Sequence, residues 1–502
     1  MLASINTAVI QGYEGHPVSV EVHVSNGLPG YTIVGLPDTS CREARDRVRS
    51  AILSSGYKWP QKRVTINLAP SSLRKEGAVV DLPIALALLA ASEQIPVEAL
   101  NSLGAVGELG LDGSLKKVPG LICLASAINA GSLIVPSEGA SEAPLGFTGQ
   151  VRSAETLAEV AGGLAGLSEM PGVVDVAKNS KCLQQPDMSD VAGQGLARWA
   201  LEVSAAGGHH MLMVGPPGSG KTMLAKRLPG LLPDLKLKDQ ITVSKIHSAA
   251  GLKEVSEGLI KRPPFRSPHH GASMVGILGG GTGAMRPGEI SCAHGGVLFI
   301  DELGEYPSRI IDALRTPLEE GVIRVSRATR SVTMPAGFLF IGSMNPCPCG
   351  KGSTDCRCSL SQRKRYSRRL SGPILDRFDL RIEVQPPNPV VFFDDKPNES
   401  SDAIAKRVIN ARLLAAGRGV NCNSELSGSQ LECYAPLTDG AKNVLKHALE
   451  KGEISGRGFK RVRSVARTIA DLLGAGDSID SQTISAALSL RSPLKSVFEG
   501  EQ

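Results

Sequence analysis

The segment Gly215-Pro-Pro-Gly-Ser-Gly-Lys-Thr222 combines glycines, a lysine and a hydroxyl residue in the spacing Gly-x-x-x-x-Gly-Lys-Thr. Glycine lets successive backbone N–H groups turn inward, and anions gather where such a turn opens into a helix. Lys221 then supplies a positive charge for the outer phosphates of a nucleoside triphosphate, and Thr222 supplies a hydroxyl for its Mg2+. Gly215, Pro216, Pro217, Gly218, Ser219 and Gly220 form the cradle. Downstream, Gly296-Val-Leu-Phe-Ile-Asp-Glu302 ends an apolar run in two adjacent carboxylates. Asp301 is suited to support the metal, and Glu302 to polarise an attacking water. Asn345 follows a third apolar run and can orient that water or touch the terminal phosphate. The chemistry these residues share is ATP hydrolysis with Mg2+. A chance glycine turn or a solvated Asp-Glu pair explains either stretch alone, but not the two together.

Such residues need a particular scaffold. Met211-Leu-Met-Val214, Gly296-Val-Leu-Phe-Ile300 and Gly337-Phe-Leu-Phe-Ile341 are apolar runs separated by helical segments. That pattern implies a parallel sheet covered on both faces, with ligands beyond the carboxyl ends of its strands. A helix is expected from Thr222 to Leu228. This block occupies about 190–390. Residues 1–165 read as mixed α and β, with strands at 19–24 and 63–67 and helices at 42–54 and 82–91. The Gly-, Pro-, Ser- and Asp-rich stretch 166–189 is the expected linker. After a second Pro- and Asp-rich stretch at 385–401, residues 402–495 read as wholly helical. The fold class is α/β multidomain.

Bulk properties agree. A chain of 502 residues needs two to four domains, and 42% hydrophobic residues suffice for their cores. The net charge of +6 permits a nucleic-acid partner without demanding one. Residues 1–20 lack a signal-peptide pattern, and the apolar run 82–91 is about half of a bilayer span. Ten cysteines, four of them between 347 and 358, do not form a secreted disulfide framework. A cytoplasmic location without membrane contact is expected.

Cys347-Pro-Cys349 and Cys356-Arg-Cys358 are two Cys-x-Cys pairs six residues apart. Four thiolates from one short loop suit the tetrahedral geometry of structural zinc, with free or redox-active thiols as the alternative. Cys41, Cys123, Cys182, Cys292, Cys422 and Cys433 read as small hydrophobes. His269 and His270 lack further ligands nearby. Arg324, Arg327 and Arg330 punctuate a strand–turn–strand at 322–332, and Arg363-Lys-Arg-Tyr-Ser-Arg-Arg369 follows the cysteines. Both are able to grip phosphates or to serve as solvated faces. Strand alternation puts Arg324 and Arg330 on one face and Arg327 on the other, unless the turn alters the count.

Taken with Asp190-Val-Ala-Gly-Gln194, Phe265-Arg-Ser-Pro-His-His270, Asn345-Pro-Cys-Pro-Cys-Gly350 and Leu375-Asp-Arg-Phe-Asp379, these motifs resemble magnesium-chelatase-like AAA+ ATPases. They resemble the ComM/YifB family more closely still, over nearly the whole chain. The resemblance implies an AAA+ core with a C-terminal helical lid, and a ring, usually a hexamer. Arg377 looks like the arginine finger that reaches the neighbouring subunit's ATP, with Arg369 the lesser candidate, and Arg457 like the sensor-2 arginine. The 322–332 hairpin would point into the pore and contact DNA, single-stranded or branched. Residues 1–165 resemble a Lon-protease-like domain, but Val79 and Ile122 stand where the catalytic serine and lysine belong, so no peptidase is expected. The implied function is a branch-migration helicase of homologous recombination and natural transformation. Two rivals remain: an ATPase subunit of a metal chelatase, and a protein-remodelling ATPase.

Overall fold

The computed structural model describes residues 1–174, 186–252, 258–281, 285–327, 330–351, 356–367, 369, 372–386 and 398–491. Cys182 lies outside them, as do the side chains of Arg327 and Arg330.

The N-terminal unit is built on an eight-stranded sheet. Its strands are β1 (Leu2–Gln11), β2 (Glu14–Ser25), β3 (Gly30–Val34), β4 (Arg63–Ala69) and β5 (Leu103–Ala105). A small hairpin, β6 (Glu108–Leu109) and β7 (Leu115–Lys116), stands apart from it. The sheet continues through β8 (Ser132–Pro136), β9 (Gln150–Ala154) and β10 (Gly172–Val173). The order is β10-β9-β8-β5-β1-β2-β4-β3. Residues on β1 and β2 alternate between core and outside, as one covered face requires. All eleven residues of the Asp81–Ala91 helix are buried, so its sequence is apolar all round. Its one charge, Asp81, is held by Arg47 at 2.7 and 3.0 Å. The expected linker begins later than composition suggested. Val173 pairs with Arg152 as an antiparallel edge strand, so the unit reaches Val174.

The second unit centres on a five-stranded parallel sheet of β11 (Met211–Val214), β12 (Phe265–Arg266), β15 (Val297–Ile300), β18 (Leu339–Met344) and β19 (Leu380–Glu383). Two hairpins complete the strand set, β13 (Gly279–Gly280) with β14 (Arg286–Pro287) and β16 (Val322–Arg327) with β17 (Arg330–Pro335). The sheet order is β12-β15-β18-β11-β19. Both faces are covered, so every residue of β11, β15 and β18 is buried. Met211 and Met213 pack toward the C-terminal helices, while Leu212 and Val214 pack with Ile290, Ile310 and Phe378 on the other face. β18 runs to Met344 rather than ending at Ile341, because Gly342 and Ser343 keep registry with Leu212 and Met213.

Residues 401–489 fold as five α-helices and a short 3-10 turn. The Gly456–Leu473 helix packs its buried Val462, Val465 and Ile469 into the core shared with the sheet. No helix among the described residues is long and apolar enough to cross a membrane. The N-terminal unit sits on the second through the Leu237–Ala250 helix, where Ser248 donates to buried Glu142 at 2.6 Å and Cys123 Sγ donates to Lys245 O at 3.3 Å. The β1–β2 turn also reaches β17, with Tyr13 packed in the cluster that holds Val325, Val332 and Met334.

Candidate functional site

The carboxyl ends of β11, β15 and β18 meet at one edge, and each delivers one motif. Val214 pairs with Met344 and Ile300 with Gly342, so Gly215, Asp301 and Asn345 leave neighbouring strands close together. Beyond β11 the loop turns through Gly218 (φ 79°) and Gly220 (φ 87°), left-handed conformations that glycine adopts without strain. The helix Lys221–Arg227 starts directly after it, one residue before the expected Thr222. Pro216 is partly buried, Pro217 exposed and Ser219 buried.

Lys221 is buried, and its ammonium donates to Gly215 O at 2.7 Å and Pro216 O at 2.8 Å. Ser219 Oγ and Asn345 Oδ1 each lie 3.5 Å away. All four partners are neutral oxygens. Burial lowers the pKa of Lys221, partly offset by the charges of Asp301 and Glu302. A buried cation without a hydrogen-bonded carboxylate favours an anionic ligand. Thr222 Oγ1 donates to Asp301 Oδ2 at 2.6 Å, so the two candidate Mg2+ groups already touch. Glu302 is exposed and takes a left-handed backbone (φ 51°), uncommon for a residue with a Cβ. Its N–H donates to Asp301 Oδ1 at 3.1 Å and to Ser343 Oγ at 3.3 Å. The donor set thus fits a phosphate chain at Lys221 and the loop amides, with Mg2+ at Thr222 and Asp301.

Two supports escaped the sequence reading. Ser343 is fully buried and donates to Asp301 Oδ1, locking the carboxylate from the adjacent strand. A polar residue inside an apolar run, two positions before Asn345, was the available signal. Gln194 donates to Ser219 O at 3.2 Å and Gln385 O at 2.6 Å, tying the phosphate-loop segment to the end of β19.

The four cysteines do converge. Cys347, Cys349, Cys356 and Cys358 place all their sulfurs within 4.8 Å of one another. Three separations are 3.3, 3.6 and 3.4 Å. A zinc–sulfur bond of about 2.3 Å gives tetrahedral edges of about 3.8 Å, so little movement is needed to close a site. Backbone N–H groups of Lys351 and Arg357 stabilise the Cys349 thiolate and bring its pKa down to about 6. The loop leans on the nucleotide edge: a Cβ at Gly350 would come within 2.7 Å of Pro217. Elsewhere Cys41, Cys123 and Cys292 are buried as expected, but Cys422 is only partly covered and Cys433 is exposed. Cys433 lies on the outward side of the Gly428–Tyr434 helix, whose only buried residue is Leu431.

Arg377 and Arg457 meet in a cleft of about 1220 Å³ that they line with Lys460 and Arg461. No residue of 215–222, nor Asp301, Glu302 or Asn345, lines it. Burial first, then the charges of Arg461, Arg457 and Arg315, lower the pKa of Arg377, and Glu319 is its ion-pair partner. Behind it, Arg461 donates to Arg377 O at 3.0 Å and forms an ion pair with Asp379. Burial opposes the Asp379 charge, but the hydrogen bond with His209 and the Arg461 charge hold its carboxyl well below the usual range. Arg369 lies elsewhere, donating to Gly304 O at 2.6 Å.

Residues 187–390 match magnesium chelatase, subunit ChlI; residues 20–139 match subunit ChlI of Mg-chelatase; residues 398–491 match the ChlI C-terminal region. YifB of Salmonella typhimurium is 45% identical over 497 residues, covering 98% of this chain and 97% of that protein. The chain belongs to the ComM/YifB family of magnesium-chelatase-like AAA+ ATPases. The competence protein ComM of Haemophilus influenzae is 42% identical over 482 residues, 94% of each chain. The magnesium-chelatase 38 kDa subunit of Cereibacter sphaeroides is 27% identical over 317 residues, 55% of this chain and 89% of that one.

Within this family member, the 322–332 segment is an antiparallel hairpin, but its register corrects the expected faces. Arg327 pairs with Arg330 and Arg324 with Thr333. Positions 327 and 330 are therefore cross-strand partners, and 324 is level with 333 rather than with 330. Arg324 is also paired with Glu320 at 2.6 Å. His269 and His270 are exposed, with rings 4.0 Å apart, and belong to no metal cluster among the described residues. In the N-terminal unit Val79 and Ile122 are buried, and Lys75 Nζ donates to Pro70 O while Ser71 and Ser72 face solvent.

Proposed function

We propose that this chain is an ATP-driven ring motor on DNA, a branch-migration helicase acting in homologous recombination. The observation that carries the ATPase part is the buried Lys221 ammonium beside the Thr222–Asp301 pair. Similarity to a competence protein over nearly the whole chain, with an arginine-bearing hairpin beside the ATPase sheet, supports the DNA part.

In this reading Lys221 and the amides of 215–222 hold the triphosphate. Thr222 and Asp301 hold Mg2+, which when bound neutralises developing phosphate charge. Glu302 polarises water, and Asn345, 3.5 Å from Lys221 Nζ, fixes the terminal phosphate and water together. Arg377 and Arg457 share a cleft away from their own Lys221, so they serve the nucleotide of a neighbouring subunit. An arginine given in trans acts only in an assembly, which makes the ring part of the mechanism. The 402–495 helices act as the lid. The Cys347, Cys349, Cys356 and Cys358 cluster holds one structural zinc, and four protein ligands leave it no open position for water. The N-terminal unit is a Lon-like domain without peptidase activity, since buried Val79 and Ile122 occupy the positions of the serine and lysine.

The test is ATP hydrolysis with and without single-stranded, duplex and four-way-junction DNA. The motor reading expects stimulation, greatest on the junction, and loss of strand movement when Arg324, Arg327 and Arg330 become Ala. A parent protein indifferent to every DNA overturns it and leaves a chelatase-like, partner-remodelling ATPase.

A further inference from the structure

Residues 39–74 contain eight Lys and Arg against two Asp and Glu, an excess equal to the +6 of the entire chain. The rest of the chain therefore balances, and the net charge of this protein is a local feature. Two of the eight cations are spent on neighbours: Arg47 pairs with Asp81 at 2.7 Å and Arg74 with Glu76 at 3.8 Å. The other six, Arg42, Arg45, Arg49, Lys58, Lys62 and Arg63, are all exposed. None has a carboxylate in ion-pair distance among the described residues.

The fold gathers these six. Arg42, Arg45 and Arg49 recur at helical spacing on one stripe of the Thr39–Ser54 helix, whose buried side is Cys41, Ala44, Val48 and Ile52. The acids Glu43 and Asp46 occupy the adjacent stripe. The Arg45 guanidinium lies 5.8 Å from the ring centre of Tyr31, and Tyr31 lies 5.9 Å from Trp59. This contact chain ties the helix to the edge strand β3 and to the loop carrying Lys58 and Lys62, which leads into Arg63 at the start of β4. Arg63 is registered against Gly30, one residue from Tyr31. Tyr31 and Trp59 are half-buried, so they offer no open faces on which bases could stack. A fixed set of uncompensated cations without a stacking platform suits a phosphate backbone. The arginine stripe is about 10 Å long at about 1.5 Å per residue, close to three steps of a duplex strand at about 3.4 Å each.

We propose that this face of the N-terminal unit binds the sugar-phosphate backbone of duplex DNA without regard to sequence, giving the domain a function in place of peptide cleavage. The inference rests on DNA being the partner. It adds a contact separate from the Val322–Pro335 hairpin, one that holds a duplex arm while ATP-driven movement occurs elsewhere.

The test uses the full chain, a fluorescent duplex and a salt series, comparing the parent with R42A/R45A/R49A. Each phosphate contact contributes about 0.9 to the log–log salt slope, so losing three flattens it by two to three units or about 2.7. Affinity near 0.1 M salt should fall at least tenfold. K58Q/K62Q/R63Q reads the same face from another element and should fall likewise, which keeps the question answerable if the helix variant melts early. E43A/D46A should bind as well as the parent or better. Unchanged affinity and slope in both basic-face variants, with the parent binding DNA, overturns this surface and leaves the motor reading intact. Loss of binding in the variants when DNA never stimulates the parent's ATPase supports the surface and sinks the motor. Displacement of the duplex by polyglutamate as effective per charge as by DNA overturns the nucleic-acid assignment.

Discussion

Ser343 carries the sharpest test of how the nucleotide edge is held. Replacing it by Ala removes one hydroxyl that donates to Asp301 Oδ1 and accepts from Glu302 N at 3.3 Å. Glu302 N keeps Asp301 Oδ1 at 3.1 Å, so no buried donor is orphaned, and the void left is a single oxygen. The loss is a hydrogen bond to a charged group, about 1.5–3 kcal/mol. Asp301 keeps its bonds from Thr222 Oγ1 at 2.6 Å and from Glu302 N–H at 3.1 Å, but loses the donor on the adjacent strand that fixes its orientation. If most of that loss appears in the transition state, kcat falls by about ten- to a hundredfold. ATP affinity, resting on Lys221 and the loop amides, should change by less than about threefold. The assay pairs steady-state hydrolysis with nucleotide titration and a thermal melt. A Ser343→Ala protein that loses ATP binding but keeps kcat would refute the argument, because Ser343 would then shape the phosphate cradle and not the Asp301 carboxylate.

Lys221→Ala should abolish ATP binding, whereas Glu302→Gln should bind ATP and fail to hydrolyse it; parental turnover in the Gln variant removes Glu302 as the water-polarising group. Mixing Arg377→Ala with Lys221→Ala subunits should restore hydrolysis at interfaces joining an intact loop to an intact arginine, and no recovery in confirmed mixed assemblies rejects the trans role. Purified protein should carry about one zinc per subunit, lost in C347S/C349S, since two thiolates cannot close a tetrahedral site; metal analysis that finds none rejects it. His210, at the edge of the cleft, accepts from Phe340 N–H at 3.1 Å, and burial lowers its pKa to about 4. A depressed histidine contributes stability above its unfolded pKa of about 6.5 that is lost as pH falls toward the folded value, up to about 3 kcal/mol here. His210→Asn retains an acceptor and should flatten the pH dependence of melting in that window; an unchanged profile assigns the dependence to other groups.

Local motifs were legible because their chemistry is written in consecutive residues. The Lys221 loop needs its glycines in fixed order, and Asp301 and Glu302 need a buried strand before them, so composition and periodicity located both. The same holds for the apolar helix at 82–91 and for the Cys-x-Cys pairs. Boundaries were less legible where pairing decided them: β18 reached Met344 through registry with β11, and Val173 joined the first sheet as an edge strand.

What the sequence determined by itself is the set of groups and the elements carrying them, since propensity, periodicity and motif spacing act along the chain. What only the tertiary structure decided is which groups share a volume. Ser343 became a support for Asp301 because parallel strands put Ile300 beside Gly342, a pairing across 42 positions that no local signal encodes. Arg377 and Arg457 lie 80 residues apart, and packing of the helical region against the sheet placed both in one cleft without Lys221. The register of the two strands set position 327 opposite 330, overriding the count made along one strand. Charge obeys the same division: the sequence holds a net +6, but folding sets Arg42, Arg45 and Arg49 on one stripe and brings Lys58, Lys62 and Arg63 alongside through Tyr31 and Trp59. Long-range electrostatics and hydrogen bonding depend on distance in space, and only the packed chain defines that distance.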